Sequence, residues 1–205
     1  YKGTINMKSG DVQLDGDILA ARGGSINVGL TTANSYLNGI ANNGGTINLT
    51  LKNGAVWNNE AQNERYKFDN QEAIGDGRSI INTLSGGSSL DNAGNIFQTV
   101  NSGNLFVDNL SGTVKVTYKD CNANDPTEIY GGNVTINKAN ANSQIGLYTT
   151  NKGVNEENVD KVLNALANKL YYNAYVNGYD NLKGIVGILE GLNSSSVTKQ
   201  ADIKF

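Results

Sequence analysis

Gly3-Thr4-Ile5-Asn6-Met7 returns as Gly24-Ser25-Ile26-Asn27-Val28 and again as Gly45-Thr46-Ile47-Asn48-Leu49, each copy 21 residues after the one before. In each copy a glycine leads a stretch in which apolar residues such as Ile5 and Met7 alternate with Thr4, Asn6 and Lys8. Alternation at period two puts one face of a strand inward and the other outward. A fixed period near this length marks stacked repeats, because one unit cannot bury its apolar face without neighbours. The chain therefore reads as all-β, a β-solenoid, forming one unit over residues 1–205 with Ile5, Ile26 and Ile47 on a shared inward ladder.

Working outward, second strands are expected over Asp11–Leu14 and Ser35–Leu37, and short third pieces around Asp17–Leu19 and Gly39–Ala41. Gly87-Ser88-Ser89-Leu90 lies two further periods on from Gly45, and the stretches led by Gly112 (Thr113-Val114-Lys115-Val116) and Gly132 (Asn133-Val134-Thr135-Ile136) are expected to resume the marker. At about 4.8 Å per layer, eight or nine turns would make a rod roughly 40 Å long. Trp57 sits in a strand-like run and reads as core.

The register breaks twice. Residues 59–78 are charged and weakly alternating, which predicts a surface excursion. From Asn155, Val159, Val162, Leu163, Leu166 and Leu170 fall on one helical stripe behind Glu156 and Glu157, predicting a short amphipathic helical insert over about 155–168 capped by Asn155. Alternation then returns over Leu170–Val176, followed by a turn at Asn177–Asp180 and another strand around Val186 and Ile188. Ala201–Phe205 has the pattern of a further layer beginning.

Composition narrows function. The chain has 205 residues with 25 Gly and one Pro, which suits tight corners and uninterrupted ladders. A net charge of −3 offers no basic stripe, so nucleic acid is not an expected partner, and no long apolar run is expected to insert in a membrane. The chain opens inside a repeat without a signal sequence and reads as part of a longer parent. With no histidine, Ser-His-Asp and Cys-His nucleophile systems are excluded, and Cys121, the lone cysteine, has no base and no disulfide partner. No metal and no cofactor are expected.

Some acids could still do chemistry. Asp11, Asp15 and Asp17 are candidates for a carboxylate pair acting on a polysaccharide, or are solvated turn aspartates with Lys8 and Arg22 nearby. Asp120-Cys121-Asn122-Ala123-Asn124-Asp125 imitates the start of a calcium loop but has Asp where the motif needs Gly, so a loop-stabilising turn is the expectation. Tyr171, Tyr175 and Tyr179 are the candidate binding residues, since amphipathic rings favour recognition surfaces.

The Gly-Thr-Ile-Asn repeats, Asp108–Thr113, Pro126–Ile129 with Gly131–Ile136, and the block from Val162–Ala167 through Glu190-Gly191-Leu192 resemble passenger regions of autotransporter (type V secreted) proteins of Gram-negative bacteria. The resemblance covers nearly the whole chain. It implies a right-handed parallel β-helix displayed outside the cell, anchored through an outer-membrane barrel absent from this sequence. The implied role is a non-catalytic adhesin contacting host or bacterial surface protein or glycan, with self-association in view. The competing readings are a polysaccharide-active β-helix enzyme or phage spike, and a purely structural stalk.

Overall fold

The computed structural model describes residues 2–62, 67–68, 71–72 and 77–205. The chain is mostly β. Its first passes are β1 (Thr4–Met7), β2 (Gln13–Asp15) and β3 (Ile18–Ala20), then β4 (Ser25–Leu30), β5 (Tyr36–Asn38) and β6 (Ala41–Asn43), then β7 (Thr46–Leu51) and β8 (Val56–Asn58). A small antiparallel pair follows, β9 (Lys67–Phe68) with β10 (Gln71–Glu72). Next come β11 (Ser79–Ser85), β12 (Gly94–Gln98), β13 (Leu105–Ser111) and β14 (Thr113–Tyr118), the hairpin of β15 (Cys121–Asn122) and β16 (Asp125–Ile129), then β17 (Val134–Ala139) and β18 (Ser143–Thr150). The C-terminal block holds α1 (Val159–Ala167), β19 (Leu170–Tyr172), α2 (Ala174–Asn177), β20 (Leu182–Leu189) and β21 (Val197–Ile203).

Apart from β3 and β6, which pair parallel in a small third sheet, and the β9–β10 and β15–β16 pairs, the strands up to β20 alternate between two large sheets. One is ordered β1-β4-β7-β11-β13-β17-β19 and parallel throughout. The other, β2-β5-β8-β12-β14-β18-β20-β21, is parallel up to its last pair. The 21-residue register is met: Ile5 pairs with Ile26 and Ile26 with Ile47. Met7, Val28, Leu49, Leu84, Leu110 and Ala139 form a second inward column of the same sheet. Facing them across the interior, Leu14, Leu37, Trp57, Ile96, Val116, Leu147 and Val186 make one column through seven strands of the other sheet. Branched side chains stack well on a pleated surface, and their burial in one continuous core supplies the main favourable free energy. Trp57 is fully buried, with its indole N–H donating to the Gly39 carbonyl at 2.8 Å.

Polar residues stack as well. Asn48 Nδ2 donates to Asn27 Oδ1 at 2.9 Å, and Asn27 Nδ2 to Asn6 Oδ1 at 2.8 Å. Deeper in, Asn59 Nδ2 donates to Gln98 Oε1 at 2.8 Å, Ser79 Oγ to Asn59 Oδ1 at 2.6 Å, and Gln98 Nε2 to the Gly103 and Gly132 carbonyls, each at 3.2 Å. Among the described residues no buried side-chain nitrogen or oxygen lacks a partner, as a low-dielectric interior requires.

Several expectations need correcting. Gly87 does not open a marker strand. After β7 the separation between paired residues rises to 35, then to 26, 29 and 36, so β11 arrives before Gly87. Gly86 and Gly87 serve close approach instead: Gly87 exchanges hydrogen bonds with Thr113, and a Cβ on Gly86 would come within 2.2 Å of the Thr113 carbonyl oxygen. The Gly112 and Gly132 stretches lie in different sheets, since β14 pairs with β12 whereas β17 pairs with β13. The insert becomes α-helical only at Val159. Asn155 Oδ1 accepts from the N–H groups of Glu157 and Asn158, fixing the turn before the helix rather than capping it.

The helix does bury Val162, Leu163 and Leu166 in the common core, but Leu170 belongs to β19. Alternation beyond Leu170 ends at Tyr172, and Ala174–Asn177 turns into α2, held down where Asn177 Nδ2 donates to the Ala139 carbonyl at 2.7 Å. The terminal stretch is not a new parallel layer, because β21 folds back antiparallel onto β20 through the Ser194–Ser196 corner. Half of the 59–78 excursion, residues 63–66, 69–70 and 73–76, lies outside the described residues. Among the described residues no helix is long and apolar enough to cross a membrane.

Candidate binding surface

The three candidate tyrosines all sit in the C-terminal block and are exposed: Tyr171 by 58%, Tyr175 by 92% and Tyr179 by 57%. They stand on different elements. Tyr171 is the outward residue of β19, Tyr175 lies on α2, and Tyr179 opens a 3-10 turn over Tyr179–Asn181. The ring contact formed in this region joins Tyr172 to Phe205, edge to face at 5.2 Å, rather than any two of the three. Tyr179 instead edges a shallow groove of about 550 Å3 with Asp180, Lys183, Asp202, Lys204 and Phe205.

The register places Tyr171 in company that its sequence neighbours do not reveal. Ile80 pairs with Phe106, Phe106 with Thr135 and Thr135 with Tyr171, so these four form one outward column across β11, β13, β17 and β19. Phe106 is itself 38% exposed. Two positions further along the strands runs a polar column: Asn137 Nδ2 donates to Asp108 Oδ1 at 2.8 Å, and Asn173 Nδ2 donates to Asn137 Oδ1 at 3.1 Å. Sequence reading missed Phe106, since its alternation with Leu105 and Val107 marks it only as an outward strand residue.

The acids weighed for chemistry have structural work. Asp11 accepts from Thr32 Oγ1 and Asn34 Nδ2, and Asp15 from Asn38 Nδ2 and Tyr36 OH, in each case from the next layer. That neighbouring Asp15 carboxylate raises the Tyr36 phenol pKa. Asp17 Oδ1 accepts from the N–H of Ile40 at 2.8 Å and from that of Gln62. Glu60 accepts from the Thr99 hydroxyl.

The Asp120–Asp125 stretch forms the tip of the β15–β16 hairpin. Asn122 Oδ1 accepts from the Asn124 N–H, and Asp125 Oδ1 accepts both the hydroxyl and the N–H of Thr127, so these oxygens organise the turn. The Thr127 hydroxyl bond is the main reason that the Asp125 carboxyl titrates below its ordinary range. Burial, with smaller contributions from the Asp120 and Asp125 carboxylates, pushes the Cys121 thiol pKa up against the opposite pull of Lys152.

A partly buried cation also positions this face. Lys169 Nζ donates to the Gly131 carbonyl at 2.8 Å and lies 5.5 Å from the centre of the Tyr118 ring, and desolvation lowers its pKa. The Tyr118 hydroxyl in turn donates to the Gly132 carbonyl at 2.6 Å. These contacts clamp the turn ahead of β17 onto β14 and thereby fix the outward columns above. Compared with known proteins, the chain matches no family model, no curated protein and no solved structure.

Proposed function

We propose that this chain is a stretch of right-handed parallel β-helix of the autotransporter-passenger kind, displayed at a bacterial surface and acting there as a non-catalytic adhesin. The alternation of most strands between two largely parallel sheets supports the winding, and parallel crossovers are right-handed in nearly all proteins. One observation carries the adhesive reading over the enzymatic one. Asp11, Asp15 and Asp17, the acids best placed by sequence for polysaccharide cleavage, each accept hydrogen bonds from the following layer. A carboxylate held by neutral donors in that way serves the stack, whereas a glycosidase pair must face a common sugar across open space.

Adhesion by such a surface works through several weak contacts made together, each adding to residence time without any bond being broken. The test pairs a surface-attachment and glycan-array measurement with a reducing-sugar assay. Binding without turnover is the expected result. Turnover abolished by Asp15→Asn would overturn the proposal in favour of a polysaccharide-active enzyme, and an absence of binding to any cell or glycan surface would leave only a structural stalk.

A further inference from the structure

The geometry points to a specific ligand class for the outward face of the first sheet: we propose that an uncharged, β-linked hexopyranose chain lies across β13, β17 and β19, stacking on Phe106 and Tyr171. This deepens the adhesive reading and rests on it. Phe106 and Tyr171 stand in the same column with Thr135 between them. Two strand spacings separate them, roughly 9.6 Å, which is about the span of two β-linked pyranose units. A chain running across the strands would thus set one sugar on each ring and the sugar between them over the small Thr135 side chain.

The polar column completes the match. Alongside the rings run Asp108, Asn137 and Asn173, joined by amide hydrogen bonds that hold them in place while leaving acceptor positions on Asp108 and both donor and acceptor positions on the two amides. Pyranose hydroxyls both donate and accept, so they complement such a row. The C–H face of the sugar lies against an aromatic ring, and its hydroxyl edge reaches the amides.

Charge favours an uncharged chain. Among the described residues, Asp108 and Lys138, which follows Asn137 on β17, place one charge of each sign beside the rings, and Arg78 stands two residues before Ile80 at the β11 end of the column. With both signs present beside the two rings, that stretch of the face does not single out a polyanion or a basic peptide. A rigid parallel sheet holds the spacing, so little ordering is needed on binding.

The experiment titrates the full chain with cello- and chito-oligosaccharides of increasing length, comparing wild type with Phe106→Ala, Tyr171→Ala and Tyr175→Ala. Affinity is expected to rise up to about the length that bridges both rings and then level off. Losing either ring should weaken binding about tenfold, while Tyr175→Ala, on α2 and outside the column, should change little. All three positions are exposed, and unchanged melting curves would show the fold intact. Glycan binding that survives both ring substitutions overturns this site while leaving the adhesive function standing. Failure to bind any glycan or surface overturns both. Self-association lost in the Phe106→Ala, Tyr171→Ala double variant, with no oligosaccharide bound, overturns it in favour of a second copy as the occupant.

Discussion

Truncating Ile5, Ile26 and Ile47 one at a time to alanine places the same deletion at three steps of one ladder. Their side chains are 54%, 8% and 1% exposed. Isoleucine to alanine removes an ethyl and a methyl group, about 2.4 kcal/mol of transfer free energy at ~0.8 kcal/mol per methylene. In a close-packed interior the unfilled space adds to this, giving the range of about 2–5 kcal/mol for buried isoleucine. Ile47 pairs with Ile26 on one side, has its N–H held by the Asn82 side chain on the other, and is fully buried, so Ile47→Ala should cost about 4 kcal/mol. Ile26 is flanked on one side by the half-open Ile5, and the site can partly collapse, so about 2–3 kcal/mol is expected there. At Ile5 about half of the transfer value remains and no closed cavity forms, leaving about 1 kcal/mol. Urea unfolding of the three variants, followed by circular dichroism with the m-value monitored, gives the series directly. Equal losses at all three positions, or the largest loss at Ile5, would refute the stacked register and with it the placing of every outward column.

Two further outcomes bear on the polar groups. Gln98→Leu removes the acceptor for Asn59 and the donor to the Gly103 and Gly132 carbonyls, orphaning buried groups at a cost of about 3 kcal/mol or more; a loss within experimental scatter of zero in thermal unfolding would show the network to be idle. At the hairpin tip, the Thr127 hydroxyl and N–H hold Asp125 below its ordinary value of 3.8, so their contribution is present above that pH and is lost as pH falls through the lowered folded value. Protection of the Thr127 amide relative to its intrinsic exchange rate should fall in that acid window, and Asp125→Asn should leave that protection independent of pH; protection unchanged through the window would count against the bond.

Sequence reading succeeded where the chain repeats at a constant length and failed where it does not. The ladders through Ile26 and Ile47 were legible because 21 residues separate each partner and the alternation keeps its phase. Beyond Leu51 the pairing separation changes at every step, so a glycine followed by alternating residues no longer says which sheet it leads. Gly112, at a φ of +70°, and Gly132, whose added Cβ would meet the Gly103 backbone at 2.2 Å, illustrate this. The first turns the chain into β14 and the second lets it pass close to another strand, yet both precede a similar β-branched stretch. Tyr171 was found as an exposed ring, but its partner Phe106 is a neighbour only through two intervening pairings. Alternation over Leu170–Val176 misled because Ala174 is buried by α2, whose Asn177 is tied to β17.

The division of labour among the polar residues follows from the direction of their hydrogen bonds. Asn48 donates to Asn27 and Asn27 to Asn6, while Thr32 and Asn34 donate to Asp11, and Asn38 to Asp15. In these ladders the later layer donates to the one before it, whereas Asn59 and Asn43 donate forward to Gln98 and Asn82, and a carboxylate in the earlier layer is an acceptor that the stack uses. An acid inserted into such a ladder gains neighbours that compete with any substrate for its lone pairs. Aromatic residues in the outward column are under no such demand, since Phe106 and Tyr171 form no ring contact among the described residues and keep their exposed area. Under the proposed binding role, recognition is therefore best carried by the side chains that the strand pairings leave unspent, which is why the rings on β13 and β19, rather than the more conspicuous acids near the first strands, are where a ligand should be sought.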